Sequence, residues 1–241
     1  MKKGAKIFLL MLAASAWAGS ARAGGEAVFT AACDTVDFGV IREVDGPRTV
    51  RFYMRNDGDT PSLLLKVKPT CGCTAADFRR DEVAPGDSAW IDLTYDPSRR
   101  PGRFEKGVKV YPASGEMIRI PIEGVVMASP ETIASMFPVD AGPLHLSENT
   151  LMTLSPLGAE KRTLWLDVYN SGDTLVEIEP AVDSEALSAI PFPPVVPPGE
   201  KGMVGVYIDP LKETRSGKIE YTLTLTMNGE AYPIKIHTEK P

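Results

Sequence analysis

Two of the chain's three cysteines stand one glycine apart in "PTCGCTAAD", residues 69–77, the stretch richest in reactive side chains. Thiolates at Cys71 and Cys73 could hold a soft ion such as Cu(I), given a third ligand from elsewhere. Structural zinc usually takes four ligands, and a second cysteine pair is missing. A bond between Cys71 and Cys73 would close a small strained ring, comparatively easy to reduce. A redox role would need a group that lowers a thiol pKa, and neither a helix start nor a histidine is evident beside the pair. The simplest reading is a turn in which Thr70, Cys71, Gly72, Cys73 and Thr74 pack as small residues.

Other chemistry finds little support. The two histidines, His145 and His237, stand far from the cysteines in sequence, so a Cys-His nucleophile is not expected. Ser147 and Ser155 lack a Gly-x-Ser-x-Gly elbow, and no glycine-rich phosphate loop opens a helix. Asp57, Asp59, Asp87 and Asp96 fall at turn positions, where short acids hydrogen-bond nearby backbone. "NDGDT" offers too few oxygen ligands before Pro61 for a calcium loop. No catalytic residue, cofactor or resident metal is expected, Cys71 and Cys73 being the candidate metal ligands that remain.

The amino terminus indicates the compartment. Residues 1–23 have a basic start, an apolar run from Ile7 and an Ala21-Arg22-Ala23 ending, the pattern of a secretory signal cleaved between Ala23 and Gly24. The apolar run is too short for a membrane span, and Gly24 in place of a cysteine argues against lipid anchoring. The expected product is exported, soluble, periplasmic or extracellular, without a transmembrane segment, in an oxidising environment. Cleavage removes Lys2, Lys3, Lys6 and Arg22 and no acid, taking the net charge of −6 four units lower. Nucleic acid is therefore not an expected partner. The basic run "RRPGRFEK", Arg99 to Lys106, reads as a solvated loop.

Positioning of these residues follows from a repeat. "RNDGDT" (Arg55 to Thr60) recurs as "YNSGDT" (Tyr169 to Thr174), and "VAPGDSAWIDLTYDP" (Val83 to Pro97) as "VPPGEKGMVGVYIDP" (Val196 to Pro210), a diverged tandem duplication. Within the copies, Val50, Phe52 and Met54 match Leu164, Leu166 and Val168, and Ala89, Ile91, Leu93 and Tyr95 match Gly202, Val204, Val206 and Ile208. This period of two means strands. The fold class expected is all-β, with two tandem immunoglobulin-like sandwiches of about seven strands each. Strands are predicted near 34–41, 48–56, 62–69, 78–83, 88–95, 103–111 and 116–125 of the first copy. The domains expected are 24–126 and 142–241, with 127–141 a linker. "IPFPPVVPPGE", Ile190 to Glu200, should form a partly exposed edge of the second domain.

In such a sandwich the first strand runs antiparallel to the second, which places Cys33 at one pole and Cys71 at the other. A strand length of roughly 20 Å far exceeds what a disulfide spans, so Cys33 should pair with neither Cys71 nor Cys73. The TCGCT turn should lie near the second domain, beside the 42–47 and 99–103 loops. The second copy has "SEALS" (Ser184 to Ser188) at that place, so the sandwich does not need the thiols to fold.

"DFG.I" (Asp37 to Ile41), "NDGDTPSLLL", "TCGCT" and "VAPGDSAWIDLTYDP" occur in the order of the domain-of-unknown-function 1573 family, which residues 34–125 resemble. The resemblance implies an immunoglobulin-like domain, related to major sperm protein and ASPM-SPD-Hydin domains, in exported bacterial proteins. It implies no activity. The leading expectation is a non-enzymatic binding or assembly module contacting envelope or outer-membrane proteins through sheet edges or an interdomain groove. The alternative is a thiol-dependent factor that binds copper or exchanges disulfides through Cys71 and Cys73.

Overall fold

The computed structural model describes residues 28–113 and 115–241, so the expected signal sequence and the Ala23-Gly24 junction expected for its cleavage lie outside the described residues. Among the described residues strands predominate and helix is rare. The first copy contains β1 (Phe29–Ala31), β2 (Val36–Arg42), β3 (Arg48–Asn56), β4 (Leu64–Pro69), β5 (Thr74–Phe78), β6 (Ser88–Tyr95), β7 (Gly102–Pro112) and β8 (Ile118–Met127). They form two four-stranded sheets, ordered β1-β3-β6-β5 and β2-β8-β7-β4. Alternate side chains fill the space between, and Phe52, Met54, Ala89, Ile91, Leu93 and Tyr95 are all buried there.

A short helix α1 (Pro130–Met136) leads into the second copy: β9 (Val139–Ala141), β10 (Leu144–Leu146), β11 (Thr150–Met152), β12 (Arg162–Tyr169), β13 (Val176–Glu177), β14 (Glu179–Val182), β15 (Leu187–Phe192), β16 (Val195–Val196), β17 (Lys201–Ile208), β18 (Gly217–Met227) and β19 (Glu230–Lys240). Sheets β15-β17-β12-β10-β9 and β11-β19-β18-β14 enclose a second core around Leu166, Val168, Val204, Val206, Leu223 and Ile236. No helix among the described residues is long and apolar enough to cross a membrane.

Three expectations change. The fourth strand, placed at 78–83, is β5 at Thr74–Phe78, while Val83 makes only a single bridge to Ser62. The inward positions of "TAADF" are Thr74, Ala76 and Phe78, two of them too small to stand out as an apolar period. The first strand splits. β1 pairs antiparallel with β3, then the chain crosses between sheets and β2 runs parallel to β8, with Gly39 at positive φ where the register shifts. Cys33 therefore sits in a crossover at mid-height, next to Ala32, whose N–H bonds the Tyr53 carbonyl, and not at the far pole. From Tyr53 to the Arg48 end of β3 is still roughly 16 Å.

The stretch 127–141 is not an unstructured connection. Ser129 caps α1, its Oγ accepting from Thr132 N at 3.2 Å with Pro130 in the first turn, and β9 pairs with β10 of the second sandwich. Carboxylate oxygens of Glu43 accept hydrogen bonds from Arg99 N, Ser129 N and Thr132 Oγ1 at 2.6, 2.8 and 2.8 Å. Burial raises the Glu43 pKa, but these donors outweigh it and hold the group below its ordinary value. Ala128 N donates to the buried Tyr169 hydroxyl, which stacks on Phe137, and Arg103 pairs with Glu200 at 2.9 Å. The connection is pinned from both domains.

Candidate functional site

The TCGCT turn carries the chain from one sheet to the other, and hydrogen bonds hold each end. Thr70 N donates to Gly107 O and Gly107 N to Thr70 Oγ1, extending the β4–β7 ladder; Asp96 N donates to Cys73 O, extending β5–β6. Across this turn Cys71 and Cys73 are joined by a disulfide, and Cys33 is free. The two cysteines differ in exposure: Cys71 is half-buried, Cys73 only 7% exposed. The buried Thr74 hydroxyl lies 3.5 Å from Cys71 Sγ and 3.9 Å from Cys73 Sγ. Bonded to each other, the sulfurs offer no thiolate to a metal. No group of three metal-binding side chains occurs among the described residues.

Beside the disulfide opens a cavity of about 640 Å³. Cys71, Gly72, Cys73, Tyr95 and Phe104 form part of its wall, and the charged residues on it are Arg99, Arg100, Arg103, Lys106, Glu105 and, from the second domain, Lys201. Arg100 pairs with Asp96 and Arg103 with Glu200, whereas no carboxylate among the described residues lies within ion-pair distance of Lys106 or Lys201. Sequence placed the 99–103 loop near the turn yet read its charges as solvated. Only the folded chain adds Lys201 to the run from Arg99 to Lys106 and lines one cavity with these charges.

The second domain makes the same crossover without sulfur. Asp183 N donates to Thr222 O, Thr222 N to Asp183 Oδ2, and Asp209 N to Ala186 O, so Asp183, Ser184 and Ala186 take the places of Thr70, Cys71 and Cys73. Ser184 closes this turn by accepting Ala186 N on its hydroxyl and Leu187 N on its carbonyl. A serine and an alanine suffice.

The NDG repeat proves architectural. Asn56 Nδ2 donates to Thr60 O and Val83 O, and its Oδ1 accepts from Gly58 N. Asn170 repeats the set with Thr174 O, Val196 O and Gly172 N. Both asparagines are completely buried. Of the acids read as turn residues, Asp96 accepts from Ser98 N and Oγ, which with Arg100 keep its pKa low, and Asp57 pairs with Arg55. His145 lies in β10, and His237 lies 3.7 Å from Glu220 Oε2 on the far sheet, so neither joins the cysteines.

The open edges are less available than the sequence suggests. On β5, the Phe78 N–H and carbonyl are taken by the side chains of Asp77 and Arg80. On β15, Ala186 turns its carbonyl toward β17, so by alternation Pro191 faces outward, where proline presents no donor. Apolar surface lies instead on the outer face of the β15-β17-β12 sheet. Register places Trp165 beside Gly205 and Ile190, and Met203 beside Phe192. Trp165 lies 6.3 Å from both Phe192 and Tyr207 between ring centroids. It is 49% exposed and Phe192 45%. A Cβ on Gly205 would come within 2.9 Å of the Trp165 ring, so glycine there gives the ring its seat.

By the same register, Trp165 and Gly205 correspond to Arg51 and Asp92 in the first domain, and Ile190 to Asp77. There Arg51 bonds both carboxylate oxygens of Asp92, at 2.6 and 2.7 Å. The fold accepts charge at this place, so its apolar replacement is particular to the second domain.

Residues 29–126 match the family of unknown function DUF1573. This match covers the first domain and the TCGCT turn. No curated protein matches the chain. Among solved structures, a protein of unknown function from Porphyromonas gingivalis W83 is similar at 15% identity, over 88% of this chain and 99% of that one, with a TM-score of 0.38. The Pseudomonas aeruginosa CupB2 chaperone is 13% identical over 86% of this chain and 98% of its own, with a TM-score of 0.31. The secreted serine protease VesC of Vibrio cholerae is 13% identical at a TM-score of 0.34, and the present chain spans about half (51%) of its length.

Proposed function

We propose that the protein is an exported, non-enzymatic binding module that docks another cell-envelope protein on the outer face of the β15-β17-β12 sheet. The observation that carries this reading is the cluster of exposed Trp165, Ile190, Phe192 and Met203 around half-buried Tyr207, set where the sister domain has an ion pair. Aromatic residues and methionine are enriched at protein interfaces and dominate their energetics. The test exploits the repeat. Trp165→Arg with Gly205→Asp would copy the Arg51–Asp92 pair onto the second domain, keeping the sandwich while replacing the indole at the centre of the apolar surface with a charge pair. A photo-crosslinking residue at Phe192 should capture one specific envelope protein in wild type and lose it in the double variant. Capture that survives the exchange would refute the assignment.

A second reading, thiol–disulfide chemistry at Cys71–Cys73, is favoured by the unequal exposure of the two cysteines and by the serine and alanine that do the same structural work in the second domain. It is tested by whether dithiothreitol reduces the bond in the folded protein. A disulfide that resists reduction until the domain unfolds would rule it out.

A further inference from the structure

We propose that the cavity beside the Cys71–Cys73 disulfide selects anionic thiols and directs them onto Cys71 Sγ. This rests on the thiol–disulfide reading and goes beyond it by naming the substrate class: thiols flanked by carboxylate groups, as in glutathione or a cysteine within an acidic peptide.

The argument begins with access. A thiolate must approach one sulfur along the S–S axis, expelling the other. Cys73 is buried beneath the turn, so attack falls on the half-buried Cys71. The new bond joins the substrate sulfur to Cys71 Sγ; the Cys71–Cys73 bond breaks, and Cys73 leaves as a thiolate. It takes up a proton in place of the one the attacking thiol lost to solvent. A second substrate thiol then attacks the substrate sulfur of the mixed disulfide and releases Cys71. Two thiols have become one disulfide, and their two electrons have reduced the protein to its dithiol. The leaving Cys73 sulfur has the Thr74 hydroxyl 3.9 Å away.

Charge supplies the selection. Arg99, Arg100, Arg103, Lys106 and Lys201 face the cavity against Glu105, in a chain whose net charge is −6. Asp96 and Glu200 offset Arg100 and Arg103, which leaves Arg99, Lys106 and Lys201 without an ion pair among the described residues. Arg99 and Lys106 come from the first domain and Lys201 from the second, so the complete surface exists only in the assembled pair. An anionic thiol is drawn in and its thiolate form favoured; a cationic thiol is repelled. A wall of one sign raises the encounter rate of the opposite charge by about tenfold or more, and salt removes the advantage.

The experiment compares glutathione, cysteamine and uncharged 2-mercaptoethanol as reductants of the purified protein, with rates expressed per thiolate. Thiols are followed by alkylation and mass spectrometry. Expected is a glutathione rate about tenfold above that of cysteamine, with 2-mercaptoethanol between. The ratio should fall toward one in 1 M salt and in Lys106→Gln/Lys201→Gln, with the 2-mercaptoethanol rate falling less than the glutathione rate because its thiolate carries the smaller negative charge. With glutathione disulfide as the reagent, the mixed disulfide should form on Cys71 in Cys73→Ala much faster than on Cys73 in Cys71→Ser, one glutathione leaving as the thiol each time; both variants use residue types the second domain already places at this turn. A glutathione-to-cysteamine ratio near one, with reduction otherwise normal, overturns the charge selection and leaves thiol chemistry standing. Resistance to all three reagents and to dithiothreitol overturns both.

Discussion

Truncating Asn56 to alanine probes the part of the repeat that the fold depends on. The side chain makes three hydrogen bonds at 2.9, 2.9 and 3.1 Å, to Thr60 O, Val83 O and Gly58 N, from a completely buried position. At about 1 kcal/mol net for each, the loss is about 3 kcal/mol, a large fraction of a small domain's stability. Val83 O keeps its bond from Ser62 N, so it is not orphaned and the figure needs no large desolvation addition. With a urea dependence of about 1.5 kcal/mol per molar, the first domain's midpoint should drop by about 2 M. Trp90 and Trp165 stand one in each domain, so their fluorescence reports the two transitions separately. Asn56→Ala should shift the Trp90 transition, and Asn170→Ala the Trp165 transition. Asn56→Asp should be worse than Asn56→Ala, because a carboxylate would face two carbonyl oxygens where the amide donates. A shift below about 1 kcal/mol, or an aspartate variant more stable than the alanine one, would refute the reasoning.

Replacing Cys71→Ser and Cys73→Ala together should leave the domain folded at a loss of about 1.5 kcal/mol, the chain-entropy value for so short a loop, measured by the same urea titration. Glu213, buried against Arg215 and Tyr221, has its pKa held down at about 2 by the Arg215 guanidinium first and the Tyr221 hydroxyl next, although burial raises it. A depressed carboxyl contributes stability above its unfolded value, near 4.3, and loses it as pH falls through about 2, so the deficit of Glu213→Gln, about 1–2 kcal/mol at pH 7, should vanish in that window in pH-dependent thermal melts. Glu43→Ala should speed hydrogen exchange of the Arg99 and Ser129 amides by tenfold or more while Gly58 is unaffected, since Glu43 oxygens accept from both.

Sequence carried the all-β class because burial alternates along β3, β6, β7 and their counterparts, and apolar residues of ordinary size mark those periods. It misplaced β5 because threonine and alanine mark an inward face weakly. It overlooked α1 although "SPET", Ser129 to Thr132, has a capping serine and a first-turn proline; seven residues are too few for a helical period to show. "NDG" read as a turn because its acids are conspicuous, while the asparagine that does the holding looks the same whether exposed or buried. The aromatic face was illegible for a different reason. Trp165, Phe192 and Tyr207 come from three strands and meet only through the register of β12, β15 and β17.

The duplication separates what the fold requires from what each domain adds. Both copies keep a buried asparagine with the same partners, an aspartate after the β6 or β17 strand whose amide bonds the crossover, and a glycine opening β7 or β18. These positions answer to the sandwich. The disulfide appears in one copy and the apolar face in the other, and each has a working counterpart of different chemistry in its sister: Ser184 with Ala186, and Arg51 with Asp92. A feature the fold replaces this readily is not maintained by folding alone. The cationic cavity joins the two, because Arg99 to Lys106 come from one domain and Lys201 from the next, so its charge depends on how the junction is held. Glu43, Tyr169 and the Arg103–Glu200 pair are therefore positioning residues for the cavity, and loosening them should weaken discrimination between anionic and cationic thiols before it weakens either sandwich.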